Sequence, residues 1–212
     1  MTLLLRLAAP LQSWGINSKF NTRQSEKEPS KSGVIGLLAA ALGRKVTDDI
    51  SDLAALKFGV RTDKQGSVLR DYHTATVTKA GKNGKLVKVP GSAGSYVTNR
   101  FYLQDAVFVA AVEGDDVLIK RLEDALRRPK FPMYLGRRSC PPTLPLLLHT
   151  SDLELEAALR AEPRQAEGTG AMRIMLDDAN GTISRNDTPV SFNHNNKRYA
   201  TRIARATFTK GE

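Results

Sequence analysis

There is no second cysteine to pair with Cys140, so no internal disulfide is possible and a reducing cytoplasm is the expected location. The histidines, His73, His149 and His194, lack the spacing of metal ligands, so neither a metal nor another cofactor is expected. No apolar run approaches the roughly 18 residues of a membrane span. Met1 to Pro10 also lacks the basic front and small-residue cleavage site of a secretory leader. A soluble chain that does not span a membrane is therefore expected. No G-x-S-x-G elbow supports a triad of Ser139, His73 and Asp71. No G-x-x-x-x-G-K-[ST] loop is present.

Acid is scarce where base is dense. Lys64 to Arg100 holds seven Lys or Arg against Asp71 alone, and Arg127 to Arg138 holds five with no acid. Arg185 to Lys210 holds six against Asp187. The acids gather at Asp48 to Asp52, Asp115 to Asp124 and Asp152 to Glu167. The net charge of +10 implies a polyanionic partner, either nucleic acid or an acidic membrane. With 212 residues, 41% of them hydrophobic, the chain is long enough to bury a real core.

Thr2 to Ala8 reads as a buried Leu-rich strand that ends in a turn at Pro10 to Gly15. The lone Trp14 in that turn is read either as a core anchor or as a platform for base stacking. Asn17 to Ser30 is a polar loop. Val34 to Leu42 is apolar nearly all round and predicts a buried helix, capped by Ser30 or Ser32 and ended by Gly43. Its entry, Lys31-Ser32-Gly33, aims backbone N–H groups and a cation at one place. It is read either as an anion site or as a well-capped core helix. Leu53 to Arg61 alternates as a half-buried strand. Thr76 to Val89 predicts a β-hairpin around Asn83-Gly84, with Lys79, Lys82, Lys85 and Lys88 on a projecting basic arm. Gly91 to Gly94 is read as a flexible link.

Tyr102 to Val112 predicts a central strand, Asp115 to Arg128 a helix, and Thr143 to Leu148 a further strand. The β, α, β, hairpin, β, α, β order is that of an α+β, ferredoxin-like domain with an insertion at about 64–100. That domain is expected over 1–148. Residues 149–212 are expected to form a small β-rich C-terminal region, entered through a capping box at Ser151 to Glu154.

The chain is organised around Tyr134-Leu135-Gly136-Arg137-Arg138-Ser139-Cys140-Pro141-Pro142. Gly136 permits a backbone shape closed to other residues. Arg137 and Arg138 present forks suited to phosphate oxygens, and the prolines stiffen the exit. The loop is read either as a phosphate clamp or as a basic surface turn. Arg70, Tyr72 and His73 suit RNA binding by phosphate grip, stacking and edge contact. Tyr72, His73 and a nearby lysine would also suit a metal-independent endoribonuclease, which keeps an enzyme alternative open.

Leu4 to Trp14 with Gly15, Lys31-Ser32-Gly33, Leu69-Arg70-Asp71-Tyr72-His73-Thr74 and above all Tyr134 to Pro141 resemble the CasD subunits of type I-E CRISPR Cascade, which are repeat-associated (RAMP) proteins. The resemblance covers about Thr2 to Leu148. It implies a RAMP domain with a projecting thumb hairpin. It also implies a non-catalytic role in antiviral defence, holding the 5′ handle of the CRISPR RNA (crRNA). Partners would be the backbone subunits, the large PAM-reading subunit and, through the complex, target DNA. On this resemblance Lys31, Arg70, Arg137 and Arg138 would meet phosphates. Ser32, Gly33, Gly136 and Ser139 would shape or donate to the site, and Tyr72 and His73 would meet handle bases. Arg100 and the thumb lysines would meet RNA or a neighbouring subunit.

Overall fold

The computed structural model describes residues 1–15, 22–89 and 95–210. The loop expected over 17–30 is therefore only partly in view, and the link over 91–94 lies outside the described residues.

The molecule is a mixed α/β protein built mostly of sheet. In chain order it runs β1 (Thr2–Ala8), β2 (Leu11–Gln12), β3 (Thr22–Arg23), α1 (Lys31–Leu42), α2 (Ser51–Ala54), β4 (Lys57–Lys64), β5 (Ser67–Thr76), β6 (Thr78–Ala80) and β7 (Leu86–Lys88). It continues through β8 (Ser95–Gln104), β9 (Val107–Glu113), α3 (Asp116–Arg127), β10 (Leu147–Ser151), α4 (Leu155–Ala161), β11 (Arg173–Asp177), β12 (Ile183–Ser191) and β13 (Arg198–Phe208).

The main sheet has the order β10-β1-β9-β4-β11-β13-β12 with every neighbour antiparallel. Successive side chains on a strand face opposite ways, so a strand covered on both faces explains the consecutive Leu3, Leu4 and Leu5 of β1. Leu3, Leu5 and Leu7 join α1 and α3 on one face, while Leu4 joins α4 on the other. On β9, Phe108, Ala110 and Val112 face the first core, and Val109 and Ala111 face the second. Each fully buried leucine stabilises the fold by about 1.5–3 kcal/mol relative to exposure.

Helix α1 forms as the sequence predicts. Ser30 Oγ accepts from Gly33 N–H, and Gly43 closes the helix in the left-handed conformation with φ 80°. Helix α3 is capped by Asp115, which accepts from Val117 and Leu118. Its deepest residues are Ile119, Leu122 and Leu126, with Leu118 and Ala125 half-buried at the margin.

Several expectations are corrected. Leu53 belongs to the short helix α2, and the strand expected from it starts at Lys57. The single strand expected over Tyr102 to Val112 is two, because Asp105 turns the chain at φ 55°. The strand expected over Thr143 to Leu148 lies later, at Leu147–Ser151, where β1 provides the pairing partner. The capping box does not form. Ser151 Oγ accepts from Leu153 N–H, and Glu154 stands at the N-cap without a side-chain bond. Residues 149–212 are β-rich, but their strands continue the main sheet, since β11 pairs with β4 from Arg173↔Thr62 to Leu176↔Gly59.

Two buried ionic groups brace the sheet, one tying β4 to the end of α4 and the other tying β13 to β11 and β12. Arg61 is fully buried, forks onto Asp63 at 2.7 and 2.8 Å, and donates to the carbonyls of Leu159, Glu162 and Pro163. Arg202 bridges Asp187 and Asp177 at 2.6 Å each.

A second sheet carries the arm. β8 pairs with β5 in an unbroken antiparallel register from Ser67↔Gln104 to Thr76↔Ser95, and β2 and β3 also pair with β8. Beyond it β6 and β7 form the hairpin expected around Asn83-Gly84, with Gly84 at φ 71°.

Candidate functional site

The Tyr134 to Pro142 loop is held rigidly. Leu135 and Cys140 are buried beneath it, and burial raises the Cys140 thiol pKa. Leu135 N–H donates to the Cys140 carbonyl at 2.8 Å, and Cys140 N–H donates to the Arg137 carbonyl at 2.9 Å. The loop docks on the turn after β2, where Ser13 N–H donates to the Leu135 carbonyl at 3.1 Å. Gly136, at φ 85°, lies so close to Ser13 that any Cβ would fall within the shell of the Ser13 carbonyl. Only glycine fits.

Docking aims Arg137 at β8. Its guanidinium stacks 4.7 Å above the Tyr102 ring and donates to the carbonyls of Phe101 at 3.2 Å and Arg23 at 2.9 Å. Burial disfavours ionisation of the Tyr102 phenol, but hydrogen bonds with Ser139, Arg137 and Arg100 outweigh it and hold its pKa below the usual tyrosine value. The Nε of Arg100 is buried without a hydrogen-bond partner among the described residues. Asp71 faces Arg100 in register, yet no ion pair joins them. Arg138 extends into solvent beside this group with no described partner. Arg100, Arg137, Ser139 and Tyr102 thus form a cationic cluster with one buried donor unsatisfied, an arrangement suited to a phosphate, and the exposed Arg138 follows Arg137 in the loop.

Strand alternation divides the remaining candidates. His73 shares the Arg100 and Tyr102 face, its Nδ1 3.2 Å from Thr98 Oγ1. Arg70 and Tyr72 point to the other face, where Arg70 Nε donates to Asn99 Oδ1 at 2.9 Å and Tyr72 is 63% exposed. Lys79, Lys82, Lys85 and Lys88 lie farther out on the exposed β6–β7 hairpin.

The helix entry has a different role. Lys31 is 5% exposed, its Nζ 2.9 Å from Asp177 Oδ2, and its backbone N–H donates to Asp187 Oδ2 at 2.8 Å. The α1 N-terminus does hold an anion, as the sequence suggested, but the anion is the chain's own carboxylate. Ser32 is buried against Ser30. Gly33 makes room for Trp14, since a Cβ there would lie 2.8 Å from the indole. Trp14 is 1% exposed and donates from Nε1 to Gln12 Oε1, which settles its reading as a core anchor.

Half of the basic residues from Arg185 to Lys210 are also neutralised internally. Arg185 meets Glu26 and Glu28, Arg202 meets Asp177 and Asp187, and Arg205 meets Glu156 and Asp178. Tyr102 is the site residue the sequence reading missed. Its signal was the i, i+2 spacing from Arg100 on a strand, which puts both on one face.

Among the described residues no His, Cys, Asp and Glu cluster could hold a metal, and no helix is long and apolar enough to cross a membrane.

Comparison with known proteins identifies relatives along most of the chain. The Cascade subunit CasD of Escherichia coli K12 is 40% identical, with 76% of this chain and 77% of that protein covered. A chain of a CRISPR RNA-guided surveillance complex superposes with a TM-score of 0.83 at 34% identity, covering 99% of this chain and 90% of that one. A crystal structure of a Cas protein gives 0.77 at 36% identity, covering 99% and 95%. Residues 2–205 match the family described as CRISPR-associated protein (Cas_Cas5), and the chain belongs to that family.

Proposed function

We propose that this chain is a crRNA-binding subunit of a Cascade-type surveillance complex and holds the 5′ handle of the guide RNA without cutting it. The observation that carries the reading is the cluster in which Arg137 lies over Tyr102 together with the buried Nε of Arg100, which has no hydrogen-bond partner among the described residues. Single-stranded RNA is held by positively charged tracks and by stacking on aromatic faces. Arg100, Arg137 and Arg138 take handle phosphates, while Ser139 and His73 lie on the same side of β8. Gly136 sets the loop's shape. Lys31, Ser32 and Gly33 act through the fold, because internal partners occupy them.

The strand order β10-β1-β9-β4, with α1 and α3 on one face, supports a ferredoxin-like RAMP domain. The β5–β8 ladder and the β6–β7 hairpin would be its thumb, with Lys79, Lys82, Lys85 and Lys88 near the RNA. Arg70 and Tyr72, on the opposite face of the ladder, would contact a different stretch of RNA or an adjoining subunit. Neighbours would be the backbone subunits and the large PAM-reading subunit, with target DNA reached through the complex.

The test is the salt dependence of handle RNA binding by Arg100→Ala and Arg138→Ala, two residues outside the ion pairs that hold the described fold together. Removing one phosphate interaction should flatten the log–log slope by about 0.7. Unchanged slopes in folded variants would move the RNA elsewhere.

A further inference from the structure

β5 is a ten-residue strand paired on one side only, to β8, in a register without a bulge. No described strand lies along its other side. Natural proteins usually guard such an edge with proline, a bulge, a cluster of lysines or a short length. β5 has none of these from Ser67 to Thr76. From Ser67 to Ala75 every second residue therefore turns outward an N–H and C=O that no described strand pairs.

The chemistry of this edge differs from that of the hairpin beyond it. β5 carries one cation and one anion, Arg70 and Asp71, apart from His73. It also exposes Val68 at 57%, Leu69 at 38% and Tyr72 at 63%. The β6–β7 hairpin carries four lysines, Lys79, Lys82, Lys85 and Lys88, and no acid. A neutral edge with apolar side chains on both faces matches an extended polypeptide. The lysine tip matches a polyanion.

We infer that the free edge of β5 accepts an extended strand from a neighbouring protein subunit, which completes the sheet by β-augmentation. Main-chain hydrogen bonds would supply the attachment, and Val68 and Tyr72 on one face and Leu69 on the other would set its register. The inference uses the family's occurrence in a multi-subunit complex and does not depend on where the handle RNA lies.

Residue-level hydrogen exchange tests it in three preparations: the chain alone over a range of concentrations, the chain with repeat RNA, and the complete assembly purified from cells. Alternate β5 amides should exchange rapidly in the first two and slow by at least about tenfold in the assembly. Equal rates in all three would overturn the inference while leaving the RNA-binding reading intact. Protection by RNA alone would assign the edge to nucleic acid and overturn it. Protection that grows with concentration of the chain alone would make the occupant a second copy and overturn it too. As a second readout, Thr74→Pro and Ala75→Pro place proline at adjacent positions of β5 with opposite hydrogen-bond direction, outside the residues assigned to RNA. The one that spares the β8 pairing should keep the fold and RNA binding yet lower recovery of the other subunits about tenfold.

Discussion

Substituting Gly136 with alanine tests whether the basic loop is a built site, and the structure sets the scale of the effect. A non-glycine residue in the left-handed region costs about 1–2 kcal/mol. The new Cβ would also meet backbone, with the Ser13 carbonyl carbon 2.7 Å away. Backbone cannot rotate aside as a side chain does. Relief requires the loop and the turn after β2 to separate, which breaks the Ser13 N–H to Leu135 carbonyl bond and loosens the buried Leu135. Loss of that bond and of close packing brings the total to roughly 4 kcal/mol. For a chain of this size the midpoint of thermal unfolding should fall by roughly 10 °C. Gly43→Ala is the internal control. Gly43 has a similar φ of 80°, but its new Cβ would meet only the flexible Lys130 side chain. Its midpoint should fall by about 3 °C, the conformational cost alone. Equal shifts for the two variants would refute the argument that backbone contact at Ser13 holds the loop in place.

Trp14→Ala should destabilise by about 3–5 kcal/mol, seen as a lower urea midpoint, because it empties the space that Gly33 leaves for the indole. Asp187→Asn should cost about 3–5 kcal/mol by the same measurement, because Arg202 and the α1 N-terminus would lose a buried carboxylate. His149 Nε2 lies 2.6 Å from Glu162 Oε2, and that hydrogen bond, against the opposing effect of burial, raises the His149 pKa. The folded value therefore lies above the unfolded one. The stabilisation is complete below about pH 6.5 and is lost as pH rises through the raised folded value. Since the imidazole is more than half exposed, the effect should stay below about 1 kcal/mol. His149→Gln should remove it from the difference between urea midpoints at about pH 5 and about pH 9.

Local chemistry made much of this fold legible. The cap at Ser30, one of the two serines the sequence offered, the terminating Gly43, the helix opening at Asp115 and the Asn83-Gly84 turn each act over a few residues, and each stands where the sequence puts it. What the sequence concealed was long-range. Arg185, Arg202 and Arg205 looked like a free basic face because Asp187 is the one acid between Arg185 and Lys210. Their partners include Glu26 and Glu28, about 160 residues away. Lys31 misled for the same reason, since Asp177 and Asp187 reach it from β11 and β12. β11 could not be assigned to the main sheet because its partner, β4, lies more than 100 residues earlier. At the site, Gly136 and the two arginines were readable. The division of Arg70 and Tyr72 from His73 and Arg100 required the register of β5 against β8.

The most direct measurement uses repeat RNA labelled at both ends, incubated with the purified chain in EDTA and run on native and denaturing gels, with the assembled complex in parallel. The account predicts that the RNA is bound and remains intact, and that Arg100→Ala weakens the binding. A discrete cut by the purified chain, lost in His73→Ala, would contradict it and make the chain a ribonuclease.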